Sequence, residues 1–151
     1  MQKPATQPYW SVDPEIAGQI GPGSQLDTSV HPPKVDYLVY AVDNWSGDDI
    51  VQTFPCMLVT PRLAKALESA GLSGARATNI GVRVAYDSDS RIPKGMKPDF
   101  WRLNVTGSVG RDDFGLTTDS RLVVSGRALE FLQGFSCTGS VIEPFKISPS
   151  A

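Results

Sequence analysis

Leu122-Val123-Val124-Ser125-Gly126-Arg127-Ala128-Leu129-Glu130-Phe131-Leu132 changes character in its middle. The aliphatic run before Ser125 reads as a buried strand. Ser125 is a residue type that accepts a hydrogen bond from a free amide at a helix start. Arg127 follows two residues on, and Leu132 falls on the buried face of the helix that results. The same order of residues occurs 65 positions earlier. Val59 matches Val124, Thr60 matches Ser125 and Arg62 matches Arg127. Leu67 matches Leu132, Ser73 matches Thr138 and Gly74 matches Gly139, without a gap. The chain therefore reads as two strand–helix–strand units related by an internal repeat.

In the first unit Met57–Val59 is a short strand and Thr60 a helix cap. Pro61 suits the first helical position, where its missing N–H would have no partner. Leu63, Ala64, Ala66, Leu67 and Ala70 form an apolar face, and Gly71 can adopt the left-handed conformation that stops a helix. Residues 77–86 read as the following strand. In the second unit that strand is residues 141–147, and Pro144 suits an edge position or a bulge. Val35–Val42 is apolar on both faces and reads as a central strand. Ile50–Phe54 and Phe100–Val105 are further strands. Residues 44–49, 87–98 and 107–116 are rich in turn formers and read as loops.

Residues 1–34 hold half of the 12 prolines. Proline lacks an N–H and restricts its predecessor, so this segment reads as an extended arm packed on the body, not as a source of central strands. Asp13-Pro14-Glu15 could open one helical turn within it. The expected fold is α+β: one domain over residues 1–151, with the arm at 1–34 and the body at 35–151. Its mixed or mainly antiparallel sheet would have about six or seven strands with two main helices.

Composition narrows the function. The 151 residues are 40% hydrophobic and 20% charged, enough for a core, and the net charge is −2. An acidic balance argues against a nucleic-acid surface. No segment has the apolar length of a membrane span, and no apolar stretch follows Lys3, so a cytoplasmic location is expected. One His and two Cys leave little material for catalysis or metal binding. His31 stands beside two prolines with no partner acid or nucleophile in view. Cys56 and Cys137 lack CxxC spacing and read as reduced thiols. Ser125 is not in a G-x-S-x-G turn. Asp87-Ser88-Asp89-Ser90 opens like a calcium loop but lacks the later Gly and Glu. No catalytic residue, metal or cofactor is expected. Arg62 and Arg127 sit in the first helical turn, which disfavours a cation, so each should pair with a carboxylate or with carbonyl groups.

Three loops combine an aromatic residue with carboxylates: Trp45 with Asp48 and Asp49, Tyr86 with Asp87 and Asp89, and Phe114 with Asp112 and Asp113. An aromatic anchor beside acids suits capture of a basic protein partner. These nine residues are the expected binding surface of a protein that is monomeric when free.

A resemblance points the same way. Phe100-Trp101-Arg102-Leu103, Gly110-Arg111-Asp112-Asp113-Phe114-Gly115, the 122–132 segment and Ile142-Glu143-Pro144-Phe145 resemble the C-terminal halves of bacterial immunity proteins. These accompany polymorphic toxins and include families related to the double-CxxCG type. The likeness covers residues 98–147 and rests mostly on structural positions. This chain has no CxxCG, so a zinc ribbon of that kind is not implied. The resemblance implies an immunity protein that binds a cognate toxin domain and occludes its active site, with no catalytic residues of its own. The competing readings are an enzyme acting on a small molecule, and a structural or adaptor module.

Overall fold

Short strands fit between closely spaced prolines, and the N-terminal segment of the computed structural model uses this. The structure describes residues 8–31, 33–94 and 96–147. In order, β1 is Tyr9–Asp13, β2 Glu15–Ile16, β3 Gly18–Ile20, β4 Gln25–Asp27 and β5 Lys34–Val42. A hairpin follows, β6 (Ile50–Thr53) and β7 (Cys56–Val59), then α1 (Pro61–Ala70) and β8 (Ala75–Thr78). After β9 (Val82–Ala85) and β10 (Trp101–Val105) comes a second hairpin, β11 (Phe114–Leu116) and β12 (Leu122–Ser125). The chain ends in α2 (Gly126–Gln133) and β13 (Val141–Phe145). The fold is α+β, but its thirteen described strands, in several sheets, exceed the six or seven expected.

Two sheets repeat one plan. The first runs β6-β7-β10-β8, with β2 added beside β6, and the second runs β11-β12-β1-β13. Trp101 lies opposite Val59 as Trp10 lies opposite Val124. Arg102 faces Thr78 as Ser11 faces Glu143, so the 65-residue offset holds from β7 and β12 to β8 and β13. The insertion is reciprocal. β10 leads into the second hairpin yet pairs in the first sheet, while β1 precedes the first hairpin yet pairs in the second.

This corrects the reading of the N-terminal arm. β1 is a central strand, hydrogen-bonded to β12 on one side and β13 on the other. Pro8 and Pro14 flank it without interrupting it, so its own N–H groups remain available for the ladder. Asp13-Pro14-Glu15 is extended, not helical. Residues 1–7 of the arm lie outside the described residues. The expected strand at 77–86 is two strands in different sheets. β8 pairs with β10 and β9 pairs with β5, and the chain turns between them at Gly81, whose φ of 73° is left-handed. Part of the expected 107–116 loop is β11. β5 is central as expected, paired with β3, β4 and β9.

Both helices contribute to one core. Leu63, Ala64 and Leu67 of α1 join Ala128, Leu129 and Leu132 of α2 in a cluster with strand residues of both sheets. A second cluster, including Leu38, Tyr40, Cys56, Leu58 and Phe100, lies between the first sheet and the β5 strands. Gly71 ends α1 with φ 70°, as expected, whereas α2 stops two residues sooner and Gly134 stays right-handed. Because the main core is shared, the two units should unfold together. Leu67→Ala and Leu132→Ala should each cost about 2–5 kcal/mol and lower the midpoint of one common transition. Coincident near- and far-ultraviolet circular dichroism melts would check this, and two separate transitions would contradict it.

Candidate functional site

Asp49 directly precedes β6 and Asp113 directly precedes β11, so the two stand at corresponding places before the two hairpins. Both carboxylates are buried, at 2% and 7% exposure. Arg62 reaches back from the first turn of α1 and donates to Asp49 through Nε, at 2.8 Å, and Nη2. Arg127 does the same from α2 to Asp113, at 2.9 Å and 2.7 Å. The recurring arginines thus have the carboxylate partners expected of them, in the two-pronged geometry that guanidinium favours.

Each carboxylate also binds the other unit. The Ser136 amide, beyond α2, donates to Asp49 at 2.8 Å. The Ser73 amide, beyond α1, donates to Asp113 at 2.9 Å. Ser136, not Thr138, is therefore the counterpart of Ser73, because α2 is two residues shorter than α1. Thr138 instead donates its hydroxyl to Asp48 at 3.2 Å. The two caps differ as well. Ser125 accepts from the Ala128 amide at 3.2 Å and donates to Asp113 at 2.6 Å. Thr60 makes no side-chain cap bond, and its hydroxyl donates to Asp49.

These arrangements remove five residues from the expected surface. Asp48 is 1% exposed and accepts from Ser136, Thr138 and the Gly139 amide. Trp45 is buried, its indole donates to the Asp48 carbonyl at 2.8 Å, and its ring meets Phe100 edge-on at 5.4 Å. Asp49, Asp113 and Phe114 are buried too, Phe114 within the shared core. Paired acids at a strand start read as solvated loop residues, but here the carboxylates are buried, and amides, hydroxyls and the partly exposed arginines satisfy them.

The other four lie further out. Asp87 and Asp89 are exposed, and Asp87 accepts from the Asp89 amide at 2.8 Å. Tyr86 is half-buried with its hydroxyl bonded to the Pro98 carbonyl. Burial first, then the charge of Asp99, push its phenol well above the ordinary range. Asp112 is half-buried and accepts from the Ser108 amide at 2.8 Å. The structure sets the Tyr86 loop beside the Trp45 loop, through the Trp45 amide to the Arg91 carbonyl at 2.7 Å. Asp112 belongs to a separate loop, under the Tyr9 hydroxyl.

Little nucleophilic chemistry is assembled. Both cysteines are free thiols. Burial, which outweighs nearby Arg102, pushes Cys56 up, and burial with the charges of Asp48 and Asp49 pushes Cys137 up. Both shifts disfavour a reactive thiolate. His31 is exposed in the loop before β5. Among the described residues no group of three or more His, Cys, Asp or Glu could hold a metal ion. No described helix is long and apolar enough to cross a membrane. An open groove of about 490 Å³ runs past Trp45, Arg62, Met96 and Pro98, where the Arg62 guanidinium lies over the Phe135 ring at 5.3 Å.

Exposed apolar side chains escaped the sequence reading. Ile16, Phe54 and Val141 are 70%, 64% and 56% exposed. Only the position of Phe54 beside Pro55, between two strand-like runs, hinted at a projecting turn.

In comparisons with known proteins, the chain matches no family model and no curated protein sequence.

The clasps make stability depend on acid pH. The Arg127 hydrogen bond is the largest influence on Asp113; it outweighs burial and, with Ser125 and Ser73, holds the carboxyl far below its ordinary value. Burial alone would raise Asp49, but Arg62, Thr60 and the Ser136 amide bring it below the ordinary range. Carboxyls with lowered values stabilise the fold fully above their unfolded value, about 3.9, and this is lost as pH falls through the folded value. Stability should therefore be retained down to about pH 4 and fall steeply below it. Asp113→Asn should flatten that slope and cost roughly 2–4 kcal/mol at neutral pH. Urea titrations across pH would show both effects, and an unchanged slope would contradict the assignment.

Proposed function

We propose that this protein is an immunity protein: it binds a cognate bacterial toxin domain and occludes its active site. The observation that carries the reading is the use to which the polar groups are put. The most suggestive carboxylates, Asp48, Asp49 and Asp113, and the two recurring arginines are engaged with one another or with backbone amides. A domain that spends its reactive groups on holding itself together is suited to work through its outer surface. The resemblance of residues 98–147 to immunity proteins of polymorphic toxin systems supports the same reading, and so does the acidic balance. Toxins that act on nucleic acids present basic sites, and an acidic inhibitor gains association rate from that complementarity.

Asp87 and Asp89, exposed on the loop beside Tyr86, are the part of the acid–aromatic surface free to meet such a partner. The inhibitor would act in the cytoplasm, without a cofactor, as a monomer until it meets the toxin.

The test is co-expression with the C-terminal domain encoded by the gene immediately upstream. The protein should co-purify with that domain and restore growth to cells producing it. Asp87→Lys with Asp89→Lys should slow association about tenfold at low salt and much less at high salt. Failure of the unaltered protein both to bind and to protect would reject the proposal.

A further inference from the structure

The repeat gives two similar sheets but leaves their outer faces in different surroundings. Val12 and Ile142 point into the shared core, so Asp13 and Val141, one residue along each strand, point away from it. In the first sheet the equivalents of Ser11 and Asp13 are Arg102 and Asn104, half-buried around a small cavity they share with Pro33 and Cys56. In the second sheet Ser11 is buried, whereas Asp13, Val141 and Glu143 are exposed.

A chain of direct contacts extends this bare edge. Val141 lies opposite Asp13, and the Asp13 carboxylate accepts from the Gln52 amide group. Gln52 lies opposite Ile16 and two residues before Phe54. A shallow cavity of about 130 Å³ joins Asp13, Gln52 and Phe54 to Asp119 and Arg121 of the second hairpin turn. Three of the six large apolar side chains that stand exposed among the described residues, Ile16, Phe54 and Val141, thus share one end of the molecule.

The charge around them is one-sided. Among the described residues, Asp13, Glu15, Asp119 and Glu143 lie around the three apolar groups, with Arg121 as a counter-charge. That local excess of negative charge is larger than the net −2 of the whole chain. Glu15 is fixed in place by the Ser46 amide and hydroxyl and packs against Gly139.

We propose that this end, formed by the β1–β2 corner, the β6–β7 turn and the start of β13, is a docking surface for a protein partner that presents apolar groups within a cationic face. Phe54 is the anchor, Ile16 and Val141 complete the dry centre, and the carboxylates steer the approach. Under the immunity reading, on which the partner's identity rests, this surface meets the toxin's basic site together with the Asp87–Asp89 loop, which adjoins it through the Trp45 loop, whose Ser46 holds Glu15.

Two experiments on the full chain test the surface and the function separately. The first uses a synthetic peptide of alternating Arg and Trp as probe, followed by amide chemical shifts. Salt-sensitive shifts should gather at residues 13–16, 52–54, 119–121 and 139–143. Shifts that are absent, or confined to Asp27–Asp36 and Asp87–Asp99, overturn the proposal. The second measures affinity for the purified C-terminal domain of the upstream gene product. Phe54→Ala should weaken binding about 30-fold. Val141→Lys and Glu143→Lys should lower the association rate about tenfold. Ile80→Lys, on the turn between β8 and β9, should change nothing, and all four variants should keep the unaltered melting midpoint. If the unaltered protein binds the domain and the three patch variants bind equally well, the surface is wrong and the immunity reading stands. If it does not bind the domain, the immunity reading falls and the peptide map still decides the surface. Self-association abolished by Phe54→Ala would assign the patch to a second copy of the chain and overturn the proposal.

Discussion

Each of two buried aspartates is held by both halves of the chain. Asp49 takes Arg62 and Thr60 from its own unit and the Ser136 amide from the other, and Asp113 takes Arg127 and Ser125 from its own and Ser73 from the other. A buried carboxylate stripped of its partners is costly, so neither unit can leave the other without exposing one. The exchange of β1 and β10 between the sheets has the same consequence at the level of the backbone. Core packing then follows, with both helices on one cluster.

This constraint also limits the chemistry. Carboxylates that would suit an active site are buried and paired with the two arginines, at depressed carboxyl values that keep them charged. The surface that remains differs between the halves because the repeat is not carried through the whole molecule. The first sheet carries an added layer built on β5, while the outer edge of the second meets solvent with apolar and acidic side chains. Similar halves in dissimilar surroundings give the molecule a direction, and a partner that reads charge and apolar area can distinguish its ends.

Much of the architecture was legible where its causes are local. The capped helix after Val124, the proline start of α1, the left-handed Gly71 and the edge position of β13 all follow from conformational preferences of neighbouring residues. That Arg62 and Arg127 pair with a carboxylate or with carbonyl groups followed from their recurrence at an unfavourable place in a helix dipole. The acids themselves were misplaced. Asp49 meets Ser136 across 87 positions and Asp113 meets Ser73 across 40, and adjacent loop acids carry no local sign of such partners. The N-terminal segment was misread for a related reason. Its prolines exclude long elements, but they fall at the ends of short strands, and only the pairing of β1 with β12 and β13 makes it central.

The sequence by itself determined two strand–helix–strand units, their recurring arginines and a composition poor in catalytic groups. These rest on backbone propensity, apolar spacing and charge, which act within a few turns of chain. Tertiary structure alone decided which acids are buried, which strands are exchanged and which apolar side chains are left in solvent. Each of these depends on contacts between residues far apart in the chain, where burial is set by what the opposite unit brings, and no local pattern specifies that.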